Sequence, residues 1–172
     1  MIMKLSPTYK MPFKRRRLGK TDYAKRLRLL TSKKPRLVVR RSLNYITAQV
    51  VEFDKKGDKT IAAAASSELK KMGWSFACDN LPAAYLTGLM IGIKAMKKGI
   101  KEVVLDTGLY ASTKGSRIYA VAKGVKDSGL NINVGEDVLP SGERIKGEHI
   151  AAQEKFKSLP QEFEKILNKI RG

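Results

Sequence analysis

From Arg36 the hydrophobic period becomes two, and it holds through two turns as far as Ala65. That run limits the fold more than any other feature of the chain. Arg36 to Ser42 and Tyr45 to Phe53 are rich in branched and aromatic residues and predict two strands meeting at a tight turn near Leu43-Asn44. Asp54 to Asp58 makes a second turn, and Thr60 to Ala65 a third strand. In the middle strand Ile46, Ala48 and Val50 share one face, which suits a core. Tyr45, Thr47 and Gln49 share the other, which is polar with one aromatic. The alanines of the third strand call for a closely packed neighbour.

After the strands, helix and strand alternate. Ser67 and Glu68 begin a short helix that ends at Gly73, and Trp74 to Asp79 reads as a loop. Asn80 caps the strongest helical pattern, with Pro82 tolerated in its first turn. Tyr85, Leu89, Ile93 and Met96 form its stripe. Gly88 and Gly92 lie one turn apart on a single face, which lets a neighbour approach closely. Lys97 and Lys98 suit the negative end of the dipole, and Gly99 stops the helix. Glu102 to Asp106 is a short apolar strand, Gly108 to Gly115 a loop, and Ser116 to Ser128 a helix ended by Gly129. Leu130 to Val138 is extended, and a last helix starts near Leu159 with Phe163, Ile166, Leu167 and Ile170 on one face.

Consecutive antiparallel strands followed by alternating helix and strand predict an α/β fold, a mixed sheet with helices packed on it. Residues 21–138 form the globular α/β domain. Residues 139–172 are a C-terminal extension carrying the terminal helix. Residues 1–20 are a basic arm with Pro7, Pro12 and a Lys14-Arg15-Arg16-Arg17 run, expected to be disordered alone. Thr21 reads as the cap of a basic amphipathic helix, with Asp22 in its first turn. Tyr23, Leu27 and Leu30 carry it to about Ser32, and Pro35 ends it.

Charge narrows the function. Residues 1–47 hold 15 Lys and Arg against the single acid Asp22, so they carry +14 of the chain's +19. A domain that needs only solubility spreads its charge, whereas one that neutralises a polyanion concentrates it, and nucleic acid is the commonest such polyanion. Tyr9, Phe13 and Tyr45 are interleaved with the bases, as stacking on unpaired nucleotides requires. A generic polyanion binder remains an alternative. A membrane-surface protein would need a large apolar face beside the charge. Lys94 ends the uncharged run from Leu81 well short of a membrane span. No secretory signal is visible, and the Arg-rich start also leaves a transit peptide open.

Chemistry-bearing patterns are few. Cys78 and His149 are single, which excludes an internal disulfide and a multi-ligand zinc site. His149 reads as a surface or RNA-contacting side chain, and Trp74 as core or loop packing. Glycine-rich phosphate motifs are absent. Asp106-Thr107-Gly108 ends an apolar strand as in aspartic proteases, but that chemistry needs a second carboxylate, which only a dimer would supply. The plainer reading is an Asp that fixes a turn. Asp54, Asp58, Asp79, Asp106 and Glu52 are candidates for a metal-dependent nuclease, the alternative function. Lys114-Gly-Ser-Arg117 joins two bases and a hydroxyl to a helix start, a perch for phosphate.

Several short motifs, in order, resemble one family. They are Pro35-Arg-Leu-Val-Val-Arg-Arg-Ser42, Ile46-x-Ala48-Gln49-Val50, Ala65-Ser-Ser-Glu68, Gly73-Trp74, Asn80-x-Pro-x-Ala-Tyr-Leu-Thr-Gly88, Leu105-Asp106-x-Gly108, Gly115-Ser116-Arg117 and Arg144-x-x-Gly-Glu-His-Ile150. Together they resemble the universal large-subunit ribosomal protein family L-eighteen, L-five in eukaryotes, and its archaeal form in particular. The likeness runs from about Tyr9 to Ala152.

The resemblance implies a non-enzymatic, cytoplasmic protein of the large ribosomal subunit. It would bind 5S ribosomal RNA, attach it to large-subunit RNA in the central protuberance and touch neighbouring ribosomal proteins. No cofactor, metal, membrane or small-molecule substrate is implied. The RNA-contacting residues expected are Lys10, Lys14, Arg15, Arg16, Arg17 and Lys20 of the arm and Arg26 of the helix after it. The hairpin adds Arg40, Arg41, Asn44, Tyr45, Thr47 and Gln49, and the later loop adds Lys114, Ser116 and Arg117. The family usually has Asn and then a base after Arg41-Ser42. Here Leu43-Asn44 stands there, so the hairpin tip is expected to meet RNA without that cation.

Overall fold

A computed structural model of the chain describes residues 7–172. Part of the expected disorder of the arm falls on residues 1–6, which lie outside the described residues. The remainder of the arm carries one helical turn, α1 (Lys14–Arg17), with no buried residue. Helix α2 (Tyr23–Thr31) follows. Its cap is Asp22 rather than Thr21, because the Asp22 carboxylate accepts the Lys25 amide at 3.1 Å. The Thr21 hydroxyl is taken up instead by Arg15 Nε, at 2.9 Å.

The period-two run forms β1 (Arg36–Arg41), β2 (Ile46–Glu52) and β3 (Lys59–Ala65). Short helix α3 (Glu68–Lys71), long helix α4 (Leu81–Met96), strand β4 (Glu102–Asp106) and helix α5 (Arg117–Asp127) come next. The stretch expected to be extended from Leu130 contracts to a two-residue strand β5 (Asn131–Ile132) and a 3-10 turn at Glu136–Val138. Helices α6 (Gly142–Lys146), α7 (Glu148–Ala151) and α8 (Leu159–Arg171) complete the chain.

The five strands lie in the order β3-β2-β1-β4-β5. The first three are antiparallel, and β4 and β5 join β1 in parallel. This is the mixed sheet that the pattern predicts. Leu37 faces Val50, Val39 faces Ala48 and Arg41 faces Ile46 across the first hairpin. Leu37, Val39, Ile46, Ala48 and Val50 are buried on one face with Ala62 and Ala64 of β3, where α4 packs. The second face bears Arg36, Arg40, Thr47, Gln49 and Asp106, with α2 above it.

Asn80 Oδ1 accepts the Ala83 amide at 2.9 Å and starts α4 as expected. The apolar stripe, however, is not a boundary between core and solvent. Nearly all of α4 is buried, and Met96 at the stripe's end is exposed. Helix α4 packs on the sheet and is covered further by α5, which also touches β1 and β5, and by α6 and α8, so it has no long solvent face. Its contact with α5 is backbone to backbone. A Cβ on Gly88 would lie 2.2 Å from Val121 O, and one on Gly124 would lie 2.2 Å from Tyr85 O.

Helix α8 buries Leu159, Phe163 and Ile166, each worth about 1.5–3 kcal/mol. The Phe163 ring meets Tyr85 of α4 at 5.8 Å. Burial and the hydrogen bond to Asp127 push the Tyr85 phenol well above its ordinary value, so it acts as a fixed donor. Trp74 is buried, with Nε1 donating to Ala77 O at 3.1 Å, as a packing residue would be.

Candidate nucleic-acid interface

The interface starts from loosely held cations. Phe13 packs on Tyr23 at 5.2 Å and is the arm's one ring contact among the described residues. Lys10, Lys14, Arg16, Arg17 and Lys20 are exposed, and none meets a carboxylate among the described residues. The Arg15 side chain bonds the Thr21 hydroxyl and meets no carboxylate among the described residues.

No residue of helix α2 is fully buried, and polar bonds tie it to the sheet beside the half-buried Tyr23, Leu29 and Leu30. Lys25 Nζ donates to Thr107 Oγ1 at 2.8 Å and to Gly108 O at 2.9 Å. Arg26 donates to both oxygens of Asp58, at 2.8 and 2.9 Å. Arg26, one of the expected RNA contacts, is thus paired with an internal acid while its side chain stays 34% exposed.

Beneath α2 a chain of charge crosses the sheet. Arg36 is 3% exposed and donates to Asp106 Oδ2 at 2.8 Å and to Asp58 Oδ2 at 2.5 Å. Arg40 donates to Val39 O at 2.8 Å and to Asp106 O at 3.0 Å, and it approaches Asp106 Oδ1 at 3.4 Å. Asp106 Oδ1 also accepts the Gly108 amide at 2.8 Å. Asp106 is thus the turn-fixing residue of the plainer reading, and also the counter-charge of a buried Arg. Gly108 has φ +61, and a Cβ there would lie 2.8 Å from Arg40 Cζ. Among the described residues no three His, Cys, Asp or Glu gather to hold a metal ion. Arg36 stands between Asp58 and Asp106, where such an ion would have to sit.

The hairpin tip is open. Ser42 and Tyr45 close it through Ser42 N to Tyr45 O at 2.8 Å, which leaves Leu43 92% exposed and Asn44 exposed beside it. Lys70 of α3 lies 5.5 Å from the centroid of the partly exposed Tyr45 ring. Thr47 and Gln49 are exposed on the polar face. Arg41 is exposed and lies 4.9 Å from the Tyr110 ring centroid, while the Tyr110 hydroxyl donates to Arg41 O at 2.7 Å.

The same Arg41 lines a cleft with Tyr110, Thr113, Gly115, Ser116 and Arg117 at the start of α5. No side chain caps that helix, so its first-turn amides and positive dipole end point outward. Lys114 is exposed, 3.6 Å from exposed Asp137. Arg117 donates to Asp79 O at 2.8 Å and to Asp79 Oδ2 at 2.9 Å, so part of its fork is used internally. Cys78 is buried and its thiol is pushed up by burial, while His149 is exposed.

The sequence thus named three separate segments, and the structure joins them at Arg40 and Arg41. On one side of that pair is the cavity under the arm and α2, and on the other the cleft at the start of α5. Lys25, Lys70 and Tyr110 belong to this surface and were not singled out. Lys25 carried the one readable signal, since it stands beside Arg26 in a basic amphipathic helix. Lys70 and Tyr110 come from segments without a charge run or a period.

A family profile described as "Ribosomal large subunit proteins 60S L5, and 50S L18" matches residues 7–102. A protein of Methanococcus maripaludis named "Large ribosomal subunit protein uL18" is 47% identical over 172 residues, covering 97% of this chain and 89% of its own length. A protein of the same name from Korarchaeum cryptofilum is 50% identical over 171 residues, covering 97% of this chain and 88% of its own.

Proposed function

Because the chain belongs to this family of large-subunit ribosomal proteins, we propose that it binds 5S ribosomal RNA and helps attach it to the large-subunit RNA, without enzymatic activity. The observation that supports this reading most is the joining of arm, hairpin and α5 start around Arg40 and Arg41. Cations without acid partners in the arm give affinity and register through phosphates. The exposed Tyr45, Thr47 and Gln49 give a shaped, partly aromatic face suited to RNA form or unpaired bases. Exposed Leu43 at the tip suits a neighbouring ribosomal protein or a base rather than a phosphate.

Competition between 5S RNA and bulk transfer RNA at physiological salt tests the reading. Preference for 5S RNA supports it, and equal competition reduces it to generic polyanion binding. If some 6–10 phosphates are neutralised, affinity falls roughly 10³–10⁵-fold between 50 and 200 mM salt, and a flat response removes the electrostatic account.

A further inference from the structure

Between the arm, α2 and the second face of the sheet lies a cavity of about 250 Å³. Six cations line it: Arg15, Lys20, Lys25, Arg26, Arg36 and Arg40. Only three carboxylates face them, those of Asp22, Asp58 and Asp106. All three are already engaged. Asp22 caps α2 through the Lys25 amide, Asp58 serves Arg26 and Arg36, and Asp106 serves Arg36, Arg40 and the Gly108 amide.

The charge left over is specific in place. Arg15, Lys20 and Lys25 have no carboxylate partner among the described residues. Lys25 Nζ spends two donors on Thr107 Oγ1 and Gly108 O, which leaves a third. Buried Arg36 also lines the cavity, and its Nε has no partner among the described residues. Three positive charges in excess inside one cavity call for an anion. Acceptors on several sides are needed to meet ammonium and guanidinium groups that come from an arm, a helix and a sheet. A tetrahedral phosphate provides them.

We propose that this cavity is a phosphate site. Resting on the RNA-binding reading above, its phosphate comes from the RNA backbone, so the arm and α2 close over the strand they bind. Arg15, Lys20 and Lys25 hold the phosphate from above, and Arg36, Arg40 and Arg26 set a positive floor. The Asp58 and Asp106 carboxylates fix that floor rather than repel the ligand, because each is bridged by two arginines.

Inorganic phosphate titrated into the full chain, followed by backbone amide shifts, tests the site, and RNA binding tests its source. Saturable shifts at Lys25, Thr107 and Gly108 are expected, and their loss in Lys25→Gln. The same variant is expected to lower the slope of log affinity against log salt by about one, whereas Lys155→Gln in the C-terminal extension, which does not line the cavity, changes none of the three reporter shifts. Unsaturable shifts spread over the exposed arm, an adventitious ion only, overturn the proposal. Saturable shifts with an unchanged salt slope in Lys25→Gln overturn the RNA backbone as the source and leave a free phosphate ligand. A wild-type chain that binds no RNA refutes the RNA-binding reading instead, and the phosphate titration then decides the site alone.

Discussion

Arg36 Nη1 lies 2.8 Å from Asp106 Oδ2 across parallel strands, with the two side chains 3% and 9% exposed. The Asp ending β4 has its place because a guanidinium is buried beside it. Asp106→Asn keeps an acceptor for the Gly108 amide but leaves Arg36 with Asp58 alone. Removing one partner of a buried pair costs about 3–5 kcal/mol, and the remaining Asp58 puts the expected loss at the lower end, about 3 kcal/mol. Urea unfolding reads it directly. The folded variant should still bind RNA nearly as wild type does, since Asp106 lies against Arg36 and Arg40 as part of the cavity floor and offers the RNA no cation. A stability unchanged within error would mean that Asp58 suffices.

Gly124→Ala is expected to destabilise the chain although Ala is the better helix former. The propensity gain is about 1 kcal/mol. Against it, the new Cβ would lie 2.2 Å from Tyr85 O and 2.8 Å from Leu89 N, both backbone atoms of α4 that cannot rotate away. Forcing the helices apart costs at least the upper end of about 1–3 kcal/mol, so the net sign is a loss. A raised urea midpoint would show that α5 can slide without cost.

The glycine spacing in α4 was readable because close helix contact leaves only one residue type possible. The strands were readable for a similar reason, since burial of one face writes period two into β1 and β2. The central position of α4 was less so. A helix covered on all sides has no polar face, and its stripe then overstates how much of it is exposed. The charge chain was not readable at all. Arg36, Asp58 and Asp106 are far apart in sequence, and counting bases treats every cation as available. Arg26, Arg40 and Arg117 carry charge that internal acids already use, which only the fold reveals.

Glu68 links α3 to both the end of β3 and α4. Its Oε1 accepts the Ala65 amide at 2.8 Å, and its Oε2 accepts Lys94 Nζ at 2.7 Å. Burial alone would raise its carboxyl, but the Lys94 and Ala65 bonds outweigh that and hold it below its ordinary 4.5. A depressed carboxyl stabilises the fold above its unfolded value, and that contribution fades as pH falls below about 4.5 toward the lower folded value. The side chain is 37% exposed, so the expected contribution is under about 1 kcal/mol. Glu68→Gln should therefore lower stability slightly at pH 7, and the gap from wild type should close in acid. A gap that widens in acid would contradict the assignment.

Removing residues 1–20 should leave the core intact and cripple RNA binding. Among the described residues α1 buries nothing, and Phe13 on Tyr23 and Arg15 on Thr21 are exposed contacts between arm and body. Contacts of this kind are worth little to stability, so the unfolding free energy should change by no more than a surface substitution would change it, about 0.5 kcal/mol. RNA affinity should fall by orders of magnitude and lose much of its salt dependence. Loss of cooperative unfolding would show that the arm is structural.

Arg41 and Arg40 are adjacent in β1 but differ in what they have left to offer. Arg40 points into the charge chain, with bonds to Val39 O and Asp106 O and a close Asp106 carboxylate. Arg41 has no acid partner among the described residues, and its guanidinium lies against the Tyr110 ring beside the uncapped start of α5. A phosphate that meets Arg41 finds a charge not yet neutralised, whereas one that meets Arg40 must share it with Asp106. Arg41→Ala should therefore weaken RNA binding uniformly and lower the salt slope by about one with stability nearly unchanged. Arg40→Ala should instead act mainly on stability, through the turn at Gly108 that packs on it. Parallel salt titrations and urea curves of the two variants separate these outcomes. If Arg40→Ala lowered the salt slope while leaving stability untouched, then internal pairing would be a poor guide to which cations meet the RNA.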